Sequence, residues 1–184
     1  MPISKTVVMS AREMDQVLEQ LAQGILKRHD HPEQLVLVGI RTGGAFLAHR
    51  LAEKVRNHTS QPVRVGVLDI TLYRDDWTRI SHKPIVGKTE LPGSIDDQEV
   101  LLVDDVLFTG RTVRAALDAL IDYGRPSRIE LAVLVDRGGR ELPIQPDYVG
   151  LTLDLPSGQR VNVYLQEMGQ VDEVALEAGP PERS

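Results

Sequence analysis

Between residues 10 and 28 the apolar side chains Met14, Val17, Leu18, Leu21 and Ile25 recur three and four positions apart. That period gathers one face of a helix, and Ser10 ahead of it can accept from the free amides of a first turn. The pattern then changes to short, unbroken apolar runs. Residues 35–40, 63–72, 99–103 and 129–135 have the length and β-branched content of strands, most of them buried on both faces. Helical stretches at 44–58 and 112–123 fall between them. Such alternation predicts an α/β fold with a central, mostly parallel sheet and helices on both faces. Residues 75–97 break the pattern with polar text and Pro84, Gly87, Pro92 and Gly93, which predicts a mobile loop or β-arm rather than core. Two further strand-like stretches, 149–155 and 160–165, flank a Pro-Ser-Gly-Gln turn, and 179–184 reads as a frayed tail. With no internal repeat, one domain over residues 1–184 is expected.

The most informative window is residues 100–112, VLLVDDVLFTGRT. An apolar strand ends in Asp104 and Asp105 and breaks into a Gly/Thr-rich turn before a helix, and open parallel sheets bind ligands at the carboxyl ends of their strands. The amides from Leu107 to Thr112, the hydroxyls of Thr109 and Thr112 and the positive end of the following helix form a cradle for a phosphate, with Gly110 allowing close backbone approach. Two carboxylates beside such a cradle would repel a bare nucleotide tail. They suit the 2′- and 3′-hydroxyls of a ribose whose 5′-phosphate lies in the cradle. The plainer alternative is an acidic pair that caps the helix and faces water. An NTPase site would need a GxxxxGK[ST] loop, and the Gly43-Gly44 pair is not followed by Lys-Ser or Lys-Thr. Phosphoacceptor receivers carry their acidic pair near the amino terminus.

Three other segments follow strands. Arg41-Thr42-Gly43-Gly44 could chelate a diphosphate through its amides and guanidinium, or be a glycine-rich turn with an exposed arginine. Tyr73-Arg74-Asp75-Asp76 opens the polar segment, and taken alone its mixed charge also describes a solvated hairpin. Val135-Asp136-Arg137-Gly138-Gly139-Arg140 ends another strand, with Arg137 alternatively a salt-bridge partner. His29 and His31, beside Pro32, read as a hydrophilic loop.

Composition narrows the setting. The chain has 184 residues, 41% of them apolar, which is enough for one sizeable core, and no cysteine, which excludes a disulfide scaffold and thiolate metal sites. Its start, MPISKTVVMSAREM, lacks a signal-peptide core, and no run approaches the ~18 apolar residues of a membrane span, so a cytoplasmic protein without a membrane partner is expected. The 27 acidic against 21 basic residues, net charge −6, argue against nucleic-acid binding through global charge. A basic face on a dimer would still bind RNA if Arg28, Arg125, Arg128, Arg137 and Arg140 clustered.

Three motifs in order, DITLYRDD at Asp69 to Asp76, VDDVLFTGRTVRAALDAL at Val103 to Leu120 and LAVLVDRGGRELPI at Leu131 to Ile144, closely resemble the PyrR family of type I phosphoribosyltransferases. The likeness runs from about Val7 to near Leu176. Those proteins are pyrimidine-operon regulators that bind messenger RNA and are also uracil phosphoribosyltransferases. The resemblance implies the type I phosphoribosyltransferase fold with a flexible hood or flap. It also implies transfer of phosphoribose from 5-phosphoribosyl-1-pyrophosphate (PRPP) to uracil, giving UMP and pyrophosphate, with Mg²⁺ accompanying PRPP. Pyrimidine-leader mRNA is an implied partner, and a homo-oligomer, dimer or higher, the implied assembly.

In that frame Asp104, Asp105 and Arg74 are the catalytic candidates, Arg74 from the flap. Val106, Leu107, Phe108, Thr109, Gly110, Arg111 and Thr112 bind the 5′-phosphate, Arg41, Thr42, Gly43 and Gly44 the pyrophosphate, and Val135, Asp136 and Arg137 the base. Mg²⁺ would be held by Asp104 or Asp105 together with substrate, two carboxylates being too few for a preformed cage. The chain departs from the family at Gly43, where an arginine is usual. Glu19, Gln20, Gly139, Gln145 and Leu151 also leave little positive charge where RNA contacts would favour it. An enzyme therefore ranks above an RNA-binding attenuator with little catalysis, and above a phosphoribosyltransferase for another base.

Overall fold

The computed structural model describes residues 5–76, 87–156 and 158–179. In chain order its elements are β1 (Lys5–Met9), α1 (Ala11–Arg28), β2 (Leu35–Ile40), α2 (Gly43–Thr59), β3 (Arg64–Leu68), β4 (Glu99–Leu107), α3 (Arg111–Ile121), β5 (Arg128–Asp136), β6 (Tyr148–Thr152), β7 (Gln159–Tyr164) and β8 (Glu173–Ala178). Strands β3-β2-β4-β5-β6 form a five-stranded parallel sheet in that order, and β1-β8-β7 a separate antiparallel sheet.

The parallel sheet is covered on both faces, which explains its unbroken apolar runs. Every residue of β2 is buried. On one face, Met14, Leu18, Leu21 and Ile25 of α1 and Leu47 and Leu51 of α2 share a core with Leu37, Val103 and Leu134. On the other, Val113, Ala116 and Leu120 of α3 meet Val38, Leu102 and Val133. Helix α1 starts where its sequence directs: Ser10 accepts from the Glu13 amide at 3.4 Å while the Glu13 carboxylate accepts from the Ser10 amide at 2.7 Å.

Several boundaries differ from the sequence reading. Strand β4 continues four residues past Val103 to Leu107, with Asp104 paired to Val133 and Val106 to Val135. The acidic pair thus lies within the ladder's last stretch, where the β5 edge keeps it in register. Strand β3 stops at Leu68, and a 3₁₀ turn at Thr71–Tyr73 replaces its expected end. Of the expected loop at 75–97, residues 77–86 lie outside the described residues. Glu90 in the remainder bridges Val67 through two 2.8 Å hydrogen bonds, and Ile95 is fully buried, so this part contributes to the core. Of the expected tail, only Gly179 is described, its amide donating to the Gly158 carbonyl at 2.7 Å.

The antiparallel sheet holds β1 and β8, which the hydrophobic pattern did not reveal, beside β7. It is fastened to α2 by Arg50, whose guanidinium donates to Asp172 at 2.8 and 3.0 Å and to Glu167 at 2.5 and 2.8 Å. His29 is not a loop residue facing water. Only 5% exposed, its ring lies between Glu99 and Glu130, each nitrogen 2.8 Å from a carboxylate oxygen, and Tyr148 donates to Glu130 at 3.0 Å. Burial would raise the Glu130 pKa, but these hydrogen bonds outweigh it and hold it below the usual carboxylate value. Among the described residues no helix is long and apolar enough to cross a membrane.

Candidate active site

Strand order places a topological switch between β2 and β4, because the chain leaves β2 for β3 on one side and returns to β4 on the other. A crevice must open there, outside the carboxyl ends of the two strands. It does, as a cleft of about 310 Å³ lined by Arg41, Thr42 and Gly43 after β2, by Asp69 to Thr71 and Arg74 after β3, by Asp104, Asp105 and Val106 at the end of β4, and by Thr112 in the first turn of α3.

The two acids in this cleft differ. Asp104 is 6% exposed, and burial, then the charge of Asp105, pushes its carboxyl well above the ordinary carboxylate range. Each acid accepts from the next amide, Asp104 from Asp105 at 2.9 Å and Asp105 from Val106 at 2.7 Å. One oxygen of each is thereby oriented by its own backbone. Helix α2 comes close because it starts with two glycines. A Cβ at Gly43 would lie 2.6 Å from Asp105 Oδ2, and one at Gly44 2.3 Å from the Val103 carbonyl oxygen. The contact at Gly44 is with backbone, so glycine there lets α2 pack against β4, whereas the contact at Gly43 is with the end of the Asp105 side chain. Arg41 lines the cleft while its Nε donates to the Lys88 carbonyl at 2.8 Å.

The expected phosphate cradle is narrower than its sequence suggests. Leu107 is a buried strand residue and the Val106 amide is committed to Asp105, whereas the amides of Phe108, Thr109 and Gly110 meet no backbone acceptor among the described residues. The first turn of α3 adds amides that no helix satisfies internally. Arg111 donates its amide to Thr109 Oγ1 at 3.2 Å and its guanidinium to Asp75 and Glu141, each at 2.7 Å. Gly110 has φ +93°, and a Cβ there would point at Ile144, 3.1 Å from Cγ1, rather than at a bound phosphate. The requirement for glycine is one of backbone conformation and packing. Next to the cradle, Arg74, Asp75, Asp76, Thr109, Arg111 and Thr112 line a second hollow of about 170 Å³. Arg74, paired with Asp76 at 2.8 Å, therefore borders both cavities.

At the end of β5, the segment expected to meet the base engages several of its own backbone groups. Val135 is fully buried, the Arg137 amide donates to Leu107 at 3.0 Å, and the Asp136 carbonyl accepts from Leu153 at 2.8 Å. The Asp136 carboxylate is held by Arg140 at 2.7 and 2.9 Å, and this pairing keeps its pKa below the usual value. Arg137 pairs with no carboxylate among the described residues. It is 8% exposed, stacks on Phe108 with 3.9 Å to the ring centroid, and donates to the Gln159 carbonyl at 2.8 Å.

Sequence reasoning missed Asp69 and the fastening role of Arg140. Burial would raise the Asp69 pKa, but the Thr71 and Gly87 amides, both donating at 2.9 Å, and nearby Arg41 hold it low. Its signal was available, an acid one residue past an apolar strand. Arg140 donates to the carbonyls of Ile144 at 2.8 Å and Phe108 at 3.0 Å, tying the turn after β5 to the cradle, and its spacing of four from Asp136 was the clue. The five arginines considered for RNA do not form one cluster: Arg28 and Arg128 both pair with Glu130, at 3.5 and 3.4 Å, whereas Arg137 and Arg140 lie past the other end of β5. Arg128 opens β5 and Arg137 follows its end, about 26–30 Å along the strand.

Among the described residues no three His, Cys, Asp or Glu side chains converge as a metal cage. Asp104 and Asp105 supply hard carboxylate oxygens that suit Mg²⁺, but too few for its octahedron. The pair fits an ion that arrives with substrate and water oxygens of its own.

An acidic pair, a phosphate-sized cradle and a glycine loop converging on the switch point of a parallel sheet define a phosphoribosyltransferase. The phosphoribosyl transferase domain model matches residues 9–166, and the chain belongs to that family. It belongs more narrowly with PyrR. It is 54% identical over 171 residues to the bifunctional protein PyrR of Syntrophobacter fumaroxidans, covering 93% of this chain and 92% of the relative. It is 48% identical over 174 residues to that of Bacillus velezensis, covering 94% and 96%. In three dimensions it resembles hypoxanthine phosphoribosyltransferase from Staphylococcus aureus, with TM-score 0.70 and 21% identity over 96% of this chain and 93% of that one, a likeness of fold.

Proposed function

We propose that the cleft transfers phosphoribose from PRPP to N1 of uracil, releasing pyrophosphate and forming UMP, in a chain that also regulates pyrimidine genes through RNA. The observation that supports this reading is the convergence of Asp104, Asp105, the cradle, the Arg41–Thr42–Gly43 loop and Arg74 on one crevice. The free amides of Phe108 to Gly110, the first turn of α3 and Thr109 would hold the 5′-phosphate. Asp104 and Asp105 would accept from the ribose hydroxyls and favour the positive charge that develops at C1′ as its bond to the pyrophosphate oxygen breaks. Arg41 and Arg74 would receive the leaving group. The N1 lone pair of uracil then forms the new bond to C1′, and the N1 proton is released. Mg²⁺, held by Asp104 or Asp105 together with PRPP, would neutralise the pyrophosphate.

The test is a panel of uracil, orotate, hypoxanthine and xanthine with PRPP, monitored for nucleotide formation. UMP from uracil alone is expected, and no UMP overturns the reading. For the second activity, a salt-dependent gel shift with pyrimidine-leader RNA should show binding that UMP strengthens; no binding at low salt removes the regulatory half.

A further inference from the structure

Asp69 stands in the cleft with Asp104 and Asp105, a third acid in a space that must receive a pyrophosphate. As a bare charge it would repel that group. Its oxygens are instead committed on two sides: Oδ1 accepts from the Thr71 amide and Oδ2 from the Gly87 amide, both at 2.9 Å. Thr71 leaves β3 together with Asp69, whereas Gly87 belongs to the stretch that returns 18 residues later. The Asp69 amide adds a third tie by donating to Thr89 Oγ1 at 3.0 Å. One residue thus fixes where the chain comes back to the cleft.

Arg41 depends on that return. Its Nε donates to the Lys88 carbonyl at 2.8 Å, between the two residues that Asp69 holds, and its own amide donates to the Leu68 carbonyl at 3.0 Å. A Cβ at Gly87 would fall 2.6 Å from Asp69 Oδ2 and 3.3 Å from Arg41 Nε, so carboxylate and guanidinium meet over the same glycine. No direct ion pair joins them, and among the described residues Nη1 and Nη2 of Arg41 have no hydrogen-bond partner. Those atoms are the outer fork of the guanidinium, the part that takes phosphate oxygens in pairs. A side chain held at Nε keeps that fork in place and loses less freedom when a ligand arrives.

We propose that Asp69 is a positioning residue for phosphoribosyl transfer: by pinning Gly87 and Thr89 beside the end of β3 it presents the Lys88 carbonyl to Arg41 and sets the guanidinium fork for the pyrophosphate end of PRPP. The acid acts through Arg41. This rests on the reading of the cleft as a PRPP site.

Wild-type protein, Asp69→Asn, Arg41→Gln and the double variant are titrated calorimetrically with PRPP, pyrophosphate and UMP in Mg²⁺, and assayed for transfer to uracil. A wild type that binds PRPP yet makes no UMP refutes only the uracil reading, and the titrations still test Asp69. One that binds neither PRPP nor pyrophosphate sinks both. Asparagine can accept from only one of the two amides and turns its own donors toward the other. Asp69→Asn should therefore weaken PRPP and pyrophosphate by roughly 5- to 50-fold and leave UMP affinity within about twofold. The loss should vanish on the Arg41→Gln background, because the two residues act as one unit. A merely structural role would weaken UMP alike and lower the melting temperature in both backgrounds, and that result overturns the proposal. So do additive losses in the double variant, or tighter pyrophosphate binding by Asp69→Asn, which would leave the acid a repulsive charge only. A raised Mg²⁺ requirement with unchanged pyrophosphate affinity at saturating Mg²⁺ would make it a metal ligand and overturn the proposal as well. Should Asp69→Asn fail to fold, Gly87→Ala carries the test, since it keeps both side chains and pushes a methyl group between them. Selective loss of PRPP and pyrophosphate supports the role, and unchanged affinity for all three ligands refutes it.

Discussion

Replacing Gly110 by alanine isolates the backbone requirement of the cradle. The residue holds φ +93°, and an L side chain at positive φ costs about 1–2 kcal/mol. The added Cβ would also lie 3.1 and 3.2 Å from Cγ1 and Cβ of Ile144, close enough that Ile144 must give by a few tenths of an ångström. That contact adds up to ~1 kcal/mol, at the low end of overpacking costs. The sum, about 1–3 kcal/mol, corresponds in a chain of this size to a fall of roughly 2–12 °C in melting temperature. Relaxing φ toward negative values would rotate the Thr109 and Gly110 amides away from a bound phosphate, so UMP affinity should fall about 10-fold or more, the worth of one charge-assisted hydrogen bond. Gly110→Asn separates the two causes, because asparagine tolerates positive φ but keeps the Cβ contact. Thermal unfolding and calorimetric titration with UMP are the assays. Alanine and asparagine variants that both match the wild type in stability and affinity would refute the role given to this turn.

Thr109→Val should weaken UMP and PRPP binding by roughly 10- to 150-fold and leave pyrophosphate affinity unchanged by the same titrations; equal losses for pyrophosphate would place the phosphate elsewhere. Asp104→Asn should lose most activity yet melt higher than wild type at pH 8. The raised folded pKa means the unfolded chain ionises first as pH rises, so the wild type loses stability above the unfolded pKa and the two proteins converge in acid. No stabilisation at pH 8 contradicts the burial argument. Arg50→Ala removes the clamp on Glu167 and Asp172; with side-chain exposures of 17%, 30% and 16% the pairs are partly screened, so the expected cost is about 1–3 kcal/mol in denaturant unfolding. A loss under about 0.5 kcal/mol would show that apolar packing alone fastens the second sheet.

Residues 35–40 and 129–135 announce buried strands because helices cover both faces of the sheet, leaving no polar alternation to confuse their reading. Ser10 and Glu13 mark the start of α1 because a capping box is a local device, complete within four residues. For the same reason the linear text from Asp104 to Thr112 carries most of the site: acids, turn and helix start are contiguous, and a contiguous strand–turn–helix brings its own geometry. What the linear text leaves open depends on partners distant in the chain. β1 is short and mostly exposed, and it becomes a strand by pairing with β8 some 170 residues later. His29 is buried because Glu99 and Glu130, the latter 101 residues away, arrive on either side of its ring. The close approach of Gly43 to the Asp105 carboxylate, and the burial of Arg137 against Phe108 and Gln159, arise only when distant segments meet. The amino-acid order alone determines elements whose periodicity and caps act over a few residues; burial, charge compensation and side-chain direction are set by non-local contacts, which exist only after the chain has folded.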